Sequence, residues 1–139
     1  MAAQTELGER ILDYGTRIIK VGEALPNTLV GRRTADQLLR SGLSVGANFE
    51  EAQAAESTAD FAHKLQIALK EAREAKYWLR VVSKAEKLPR QRLELLVDES
   101  DQLVAMLSKA VAKAKGKAKQ RETAPAPVEV VQSGEGGER

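Results

Sequence analysis

Between Gln37 and Leu79 the chain reads QLLRSGLSVGANFEEAQAAESTADFAHKLQIALKEAREAKYWL, and its apolar residues fall into rows spaced by three and four. That is the period of a helix face, and it excludes a strand reading for the whole stretch. Leu38, Gly42, Val45, Phe49 and Ala52 make one row. Leu39, Leu43 and Ala47 make a second on a neighbouring face. A helix apolar over so much of its circumference is buried on more than one side. In a small bundle that implies contact with another subunit as well as with its own neighbours. Ser57-Thr58-Ala59-Asp60 then caps a further helix, with Asp60 favourable in its first turn. Its stripe is Phe61, Leu65, Ala68, Ala72, Ala75, Leu79 and Val82, and the alanines let a facing helix come close.

The same period extends on both sides of this block. Leu7, Ile11, Tyr14, Ile18, Val21 and Leu25 form a heptad stripe that Pro26 and Asn27 end. Beside it run Gly8, Leu12, Gly15, Ile19 and Gly22. Each glycine costs a helix interior about 1 kcal/mol relative to alanine. Three at seven-residue spacing point to a groove in which another helix lies close; the alternative is incidental small residues on an exposed face. After Leu88-Pro89 come Leu93, Val97, Ser100, Val104, Leu107, Val111 and Ala114, widened by Leu96 and Leu103. The expected helices are 5–25, 34–55 with Thr34 as N-cap, 58–84 and 89–115, with fraying in the AKAKGKAKQ run. The expected fold is all-α, an antiparallel up-down four-helix bundle. It forms one domain over 1–121. Residues 122–139, rich in proline, glycine and polar residues, read as a disordered tail.

Aromatic residues make up 4% of the chain, which suits short helices better than a sandwich or barrel. No run approaches the roughly 18 apolar residues of a membrane span. The N-terminal stretch has no basic-then-apolar signal pattern, so a cytoplasmic protein is expected. There is no cysteine, hence neither disulfides nor thiolate metal sites.

The central residues also carry a family resemblance. Gln37-Leu38-Leu39-Arg40-Ser41, followed by Ser44-Val45-Gly46-Ala47-Asn48-Phe49-Glu50-Glu51, resembles the second-helix signature of the bacterial 23S rRNA intervening-sequence proteins. Asp60-Phe61, then Ile67 to Glu74, then Tyr77-Trp78-Leu79 resemble the third helix. Phe49 stands where isoleucine is usual and Ala52 where glycine is frequent; both keep the apolar or small character. The likeness covers roughly residues 7–110. It implies a homopentamer of four-helix bundles arranged as a ring. It also implies kinship in fold with accessory proteins of diversity-generating retroelements, which bind nucleic acid.

Two polar constellations remain. Glu71 and Glu74 lie at i and i+3 in a row with Ile67, Trp78 and Val81. Carboxylates in such a row require partners, and Arg40 and Arg73 are the candidates. The resemblance adds Asn48 and Glu51 to the same packed region. The expected result is a buried ion-pair and amide network that fixes register or subunit contacts. A metal site is the rival, but carboxylate di-iron bundles need two Glu-x-x-His pairs. Here the only histidine forms a single Asp60-x-x-His63 pair away from Glu71 and Glu74. No catalytic constellation, metal site or cofactor site is expected.

The second constellation is a charge asymmetry. Residues 1–108 hold 15 basic and 16 acidic side chains. Residues 109–121 hold six basic and no acidic ones: Lys109, Lys113, Lys115, Lys117, Lys119 and Arg121. Such a segment meets phosphates through salt-sensitive contacts that carry no base information; otherwise it is a solubilising helix end. The expectation is a non-catalytic homo-oligomer that contacts RNA or DNA through basic helix ends. Arg32, Arg33, Lys84, Lys87, Arg90 and Arg92 are possible additions. The alternative is an oligomeric scaffold for a protein partner.

Overall fold

The periodic segments form four helices in the computed structural model, which describes residues 2–123, with side chains from Glu6 onward. They are α1 (Ala2–Ala24), α2 (Leu29–Gln53), α3 (Thr58–Lys84) and α4 (Arg90–Thr123). No strand occurs among the described residues. Each helix packs on the next in sequence, and α4 returns to touch α1 lightly. Turns of four or five residues make consecutive helices antiparallel, as an up-down bundle requires. No described helix is long and apolar enough to cross a membrane.

Two helix ends differ by five residues or more from the sequence expectation, the start of α2 and the end of α4. α2 starts at Leu29, capped by Thr28, and not near Thr34. The Thr28 backbone is extended and its hydroxyl accepts the Gly31 N–H at 3.1 Å. Thr34 sits inside the helix, and its hydroxyl donates to the Val30 carbonyl at 2.7 Å. Leu29 and Val30 are exposed, so the first turn of α2 carries no apolar row to announce it. α4 continues to Thr123, past residue 115. Its Lys/Ala run favours helix, and Ala114 is still buried. The expected tail therefore begins within α4 at Glu122 and Thr123, and 124–139 lie outside the described residues. α3 ends in a Schellman turn: the Glu86 N–H bonds to the Ser83 carbonyl and the Lys87 N–H to the Val82 carbonyl. Glu86 takes the left-handed position there, with φ 55°.

The core is built from unequal contributions. α3 supplies Ala68, Ala72 and Ala75, all fully buried, so α2 and α4 both come close to it. α4 turns Leu93, Leu96, Ser100, Leu103 and Leu107 inward, while Val97 and Val104 fall on the flank. Its inward face is thus rotated from the row through the two valines towards the leucines.

α1 meets its neighbours in two different ways. Against α2 the contact is close. A Cβ added at Gly8 would lie 3.3 Å from Phe49, and one at Gly22 would lie 3.2 Å from Leu39. From the other side, Gly42 faces Ile18 and Gly46 faces Ile11. The glycine row does let α2 approach α1 closely, as expected. Against α4 the gap is bridged by long side chains. The Tyr14 hydroxyl is hydrogen-bonded to Ser100 Oγ at 2.6 Å in a buried position. Arg10 reaches Glu99 at 2.6 Å and Gln102 at 2.9 Å.

Candidate functional site

The carboxylate row on α3 does find a cation. Arg40 on α2 lies between Glu71, at 3.2 Å, and Glu74. Trp78 Nε1 also donates to Glu74 at 3.0 Å. The hydrogen bond from Arg40, helped by that from Trp78, holds the Glu74 carboxyl below the usual carboxylate range. The cluster is not buried: the Arg40 side chain is 49% exposed. Glu71, Glu74 and Trp78 are a turn apart on one face, which is why one arginine serves both acids.

The other expected members stand apart. Arg73 follows Glu71 by two residues, so it projects from the opposite side of α3 and is exposed. Asn48 donates to the Ser44 carbonyl of its own helix at 2.8 Å. Glu51 pairs with Lys64 at 3.2 Å, near the α2–α3 turn. The network therefore reduces to Arg40, Glu71 and Glu74, with Trp78 as an addition. It clamps α2 to α3 across a partly exposed seam.

Asp60 accepts the Glu56 N–H at 3.3 Å, which gives it a structural role at the head of α3, and His63 is exposed. No group of three or more potential metal ligands occurs among the described residues.

The basic residues of α4 are all exposed: Lys109, Lys113, Lys115, Lys117, Lys119 and Arg121. None is in an ion pair among the described residues. At 100° per residue they fan around the helix and form a collar of charge, not a single line. α4 has 34 residues against 27 in α3. The Lys76–Asp101 ion pair sets the register of the two helices, so the end of the collar extends past the first turn of α3.

A second surface lies between the first two helices. Between α1 and α2 the glycines leave an open groove of about 550 Å³, walled by Leu12, Leu43, Ala47 and Phe49. Leu12 is 65% exposed, and Leu43 and Ile19 are both 42% exposed. These are the second apolar rows of α1 and α2. The bundle itself leaves them uncovered.

The Tyr14–Ser100 contact was hidden in the sequence. Both residues stand in core stripes, but nothing local shows that they meet across 86 positions. Burial, opposed by the Ser100 hydrogen bond, pushes the Tyr14 hydroxyl up to about 12. The Glu99 hydrogen bond likewise holds the Arg10 guanidinium above its ordinary value.

Known proteins agree with this architecture. The family model of the 23S rRNA-intervening sequence protein matches residues 5–109, which span most of α1 through the middle of α4. The chain belongs to the 23S rRNA-intervening sequence protein family. A solved relative is a protein of unknown function from the S23 ribosomal protein family of Bacteroides thetaiotaomicron. It is 36% identical, superposes with a TM-score of 0.71, and aligns over 76% of this chain and 97% of its own. No curated protein matches the chain. The intervening-sequence family match covers the Arg40 clamp and the α1–α2 groove in full. Of the collar it includes only Lys109, so most of that basic segment lies beyond the matched region.

Proposed function

We propose that this intervening-sequence family protein is a non-catalytic, cytoplasmic ring of five bundles that contacts RNA or DNA through its basic helix ends. The observation that carries the nucleic-acid reading is the α4 collar: six exposed cations with no acidic partner among the described residues. Phosphates are the anions that such a collar suits. Each contact releases counterions and adds affinity without reading bases. A ring repeats the collar five times, so weak contacts multiply into useful binding. The uncovered apolar rows around Leu12 and Leu43 support assembly, since a surface of this kind is normally closed by a partner. The number five comes from the family resemblance. A second reading, an oligomeric scaffold for a protein partner, draws on the same groove.

An electrophoretic mobility shift with structured RNA and with duplex DNA separates the two readings. The expected result is a shift at low salt that weakens steeply towards moderate salt. Removing residues 109–139 is expected to weaken it while the remaining bundle stays folded. No shift of either probe at low salt would refute the nucleic-acid reading and leave the scaffold.

A further inference from the structure

The outward face of α3 carries a row that the apolar rows conceal. Lys70, Arg73, Tyr77, Arg80 and Lys84 are spaced by three, four, three and four, and all five are exposed. They lie opposite the buried row of Ala68, Ala72, Ala75, Leu79 and Val82. The row begins a turn or two earlier with His63 and Gln66, and no acidic residue interrupts it from His63 to Lys84. Among the described residues none of its four cations is in an ion pair. From Lys70 to Lys84 it extends about 21 Å at 1.5 Å per residue.

Tyr77 occupies the middle of the row and is 58% exposed. Its ring packs at 5.1 Å and 75° against Trp78, which is itself tied to Glu74. The ring is thus held in place while much of it faces outward. Shallow hollows flank it, one bounded by Arg80, Val81 and Ala85 and the other by Arg73 and Val104. Acidic side chains border the row on both flanks. Glu74, four residues after Lys70 and three before Tyr77, is engaged by Arg40 on the α2 side. On the α4 side Asp101 is engaged by Lys76, and Glu94 and Asp98 lie beside Arg80 and Lys84.

We propose that α3 binds an unpaired stretch of nucleic acid along this row, with phosphates on Lys70, Arg73, Arg80 and Lys84 and one base stacked on Tyr77. Cations in line with an interleaved aromatic are the pattern that follows a single strand, because every base offers a flat face to stack. A duplex keeps its base faces inside the stack and would use only the charges. The α4 collar has no aromatic and no single line, so it suits duplex or structured backbones equally well. The proposal rests on the nucleic-acid reading above and gives it a substrate class and a second site.

The test is fluorescence anisotropy with the full chain, a labelled twelve-nucleotide oligo-dT or oligo-U, and a duplex of equal length, at low salt. The single strands are expected to bind more tightly than the duplex. Tyr77→Ala is expected to weaken single-strand binding roughly tenfold, within the range for one stacked base. It should barely affect the duplex, and Tyr77→Trp should preserve affinity. Arg73→Glu with Arg80→Glu should weaken both probes and flatten the salt dependence by about 0.7 per lost contact on the single strand. Light scattering of each variant accompanies the titrations. If Tyr77→Ala and the double charge reversal bind like wild type while the 109–139 deletion does not, the α3 site is wrong and the collar stands. If Tyr77→Ala changes the mass of the assembly, Tyr77 belongs to a subunit contact and the proposal falls. If no probe binds, both the proposal and the nucleic-acid reading fall.

Discussion

The α1–α2 side of the bundle and the outward side of α3 have the same secondary structure and opposite surface chemistry. On the first, glycines bring two backbones together and Leu12, Ile19 and Leu43 are left facing out. On the second, alanines face in and an unbroken row of lysine, arginine and tyrosine faces out. Exposed apolar rows are unfavourable in water and call for a cover. Exposed cations are well solvated and need none. In the proposed reading the first face serves assembly and the second is kept for an anionic ligand.

Placing charge on the apolar face is expected to have the largest effect. Leu12→Glu together with Leu43→Glu should break the assembly into single chains while circular dichroism stays helical. Nucleic-acid affinity should fall along with it, by up to a hundredfold or more, as multivalent contact is lost. An unchanged mass in light scattering would place the subunit contact elsewhere.

Gly42→Ala tests how closely α1 and α2 approach. The new methyl would lie 2.7 Å from Ile18, a fully buried side chain with little room to move. Overpacking of this kind costs about 1–3 kcal/mol, partly offset by about 1 kcal/mol of helix propensity. A net loss of up to about 2 kcal/mol in urea unfolding is expected. The same substitution at Gly116, with nothing within 4 Å, should instead stabilise slightly.

Tyr14→Phe tests the bridged α1–α4 seam and should cost about 1 kcal/mol, the usual worth of one hydrogen bond. Ser100 keeps its bond to the Leu96 carbonyl at 2.9 Å, so no buried donor is stranded. The wild-type chain should also show one tyrosine ionising near 12 in an alkaline absorbance titration. Because that value is raised from 10.0, the stability tied to it is full below 10 and is lost as pH rises towards 12. The phenylalanine variant should lack this alkaline loss.

Glu74→Gln should have the smallest effect, since the clamp with Arg40 is partly exposed and screened. The folded carboxyl lies below its ordinary value of 4.5. Its contribution is therefore present above that pH and lost as pH falls through the lower folded value. The variant should show less acid-induced destabilisation than wild type, as read from melting curves between pH 5 and about 3.

These two faces were unequally visible in the sequence. Gly8, Gly15 and Gly22 announced a close helix contact because their cost and their period point the same way. The leucines of the second rows announced a cover for the same reason. The α3 row is silent in the sequence, because a polar row on an exposed face carries no burial signal. Arg73 is near Glu71 and Glu74 along the chain, but two residues of helix turn it nearly to the other side from Glu71. Tyr14 and Ser100 could be placed in the core but not joined, because their contact depends on the register between the first and last helices. Thr28 gives little sign in the sequence of being a cap, because the turn after it buries only Gly31.

The mass of the intact protein in solution tests most directly the division into a covered face and a free one. Light scattering of the full chain should give a single species near five times 15.1 kDa, about 75 kDa. A monodisperse 15.1 kDa monomer at the same concentration would contradict it, because the row of Leu12, Ile19 and Leu43 would then have no second copy to cover it.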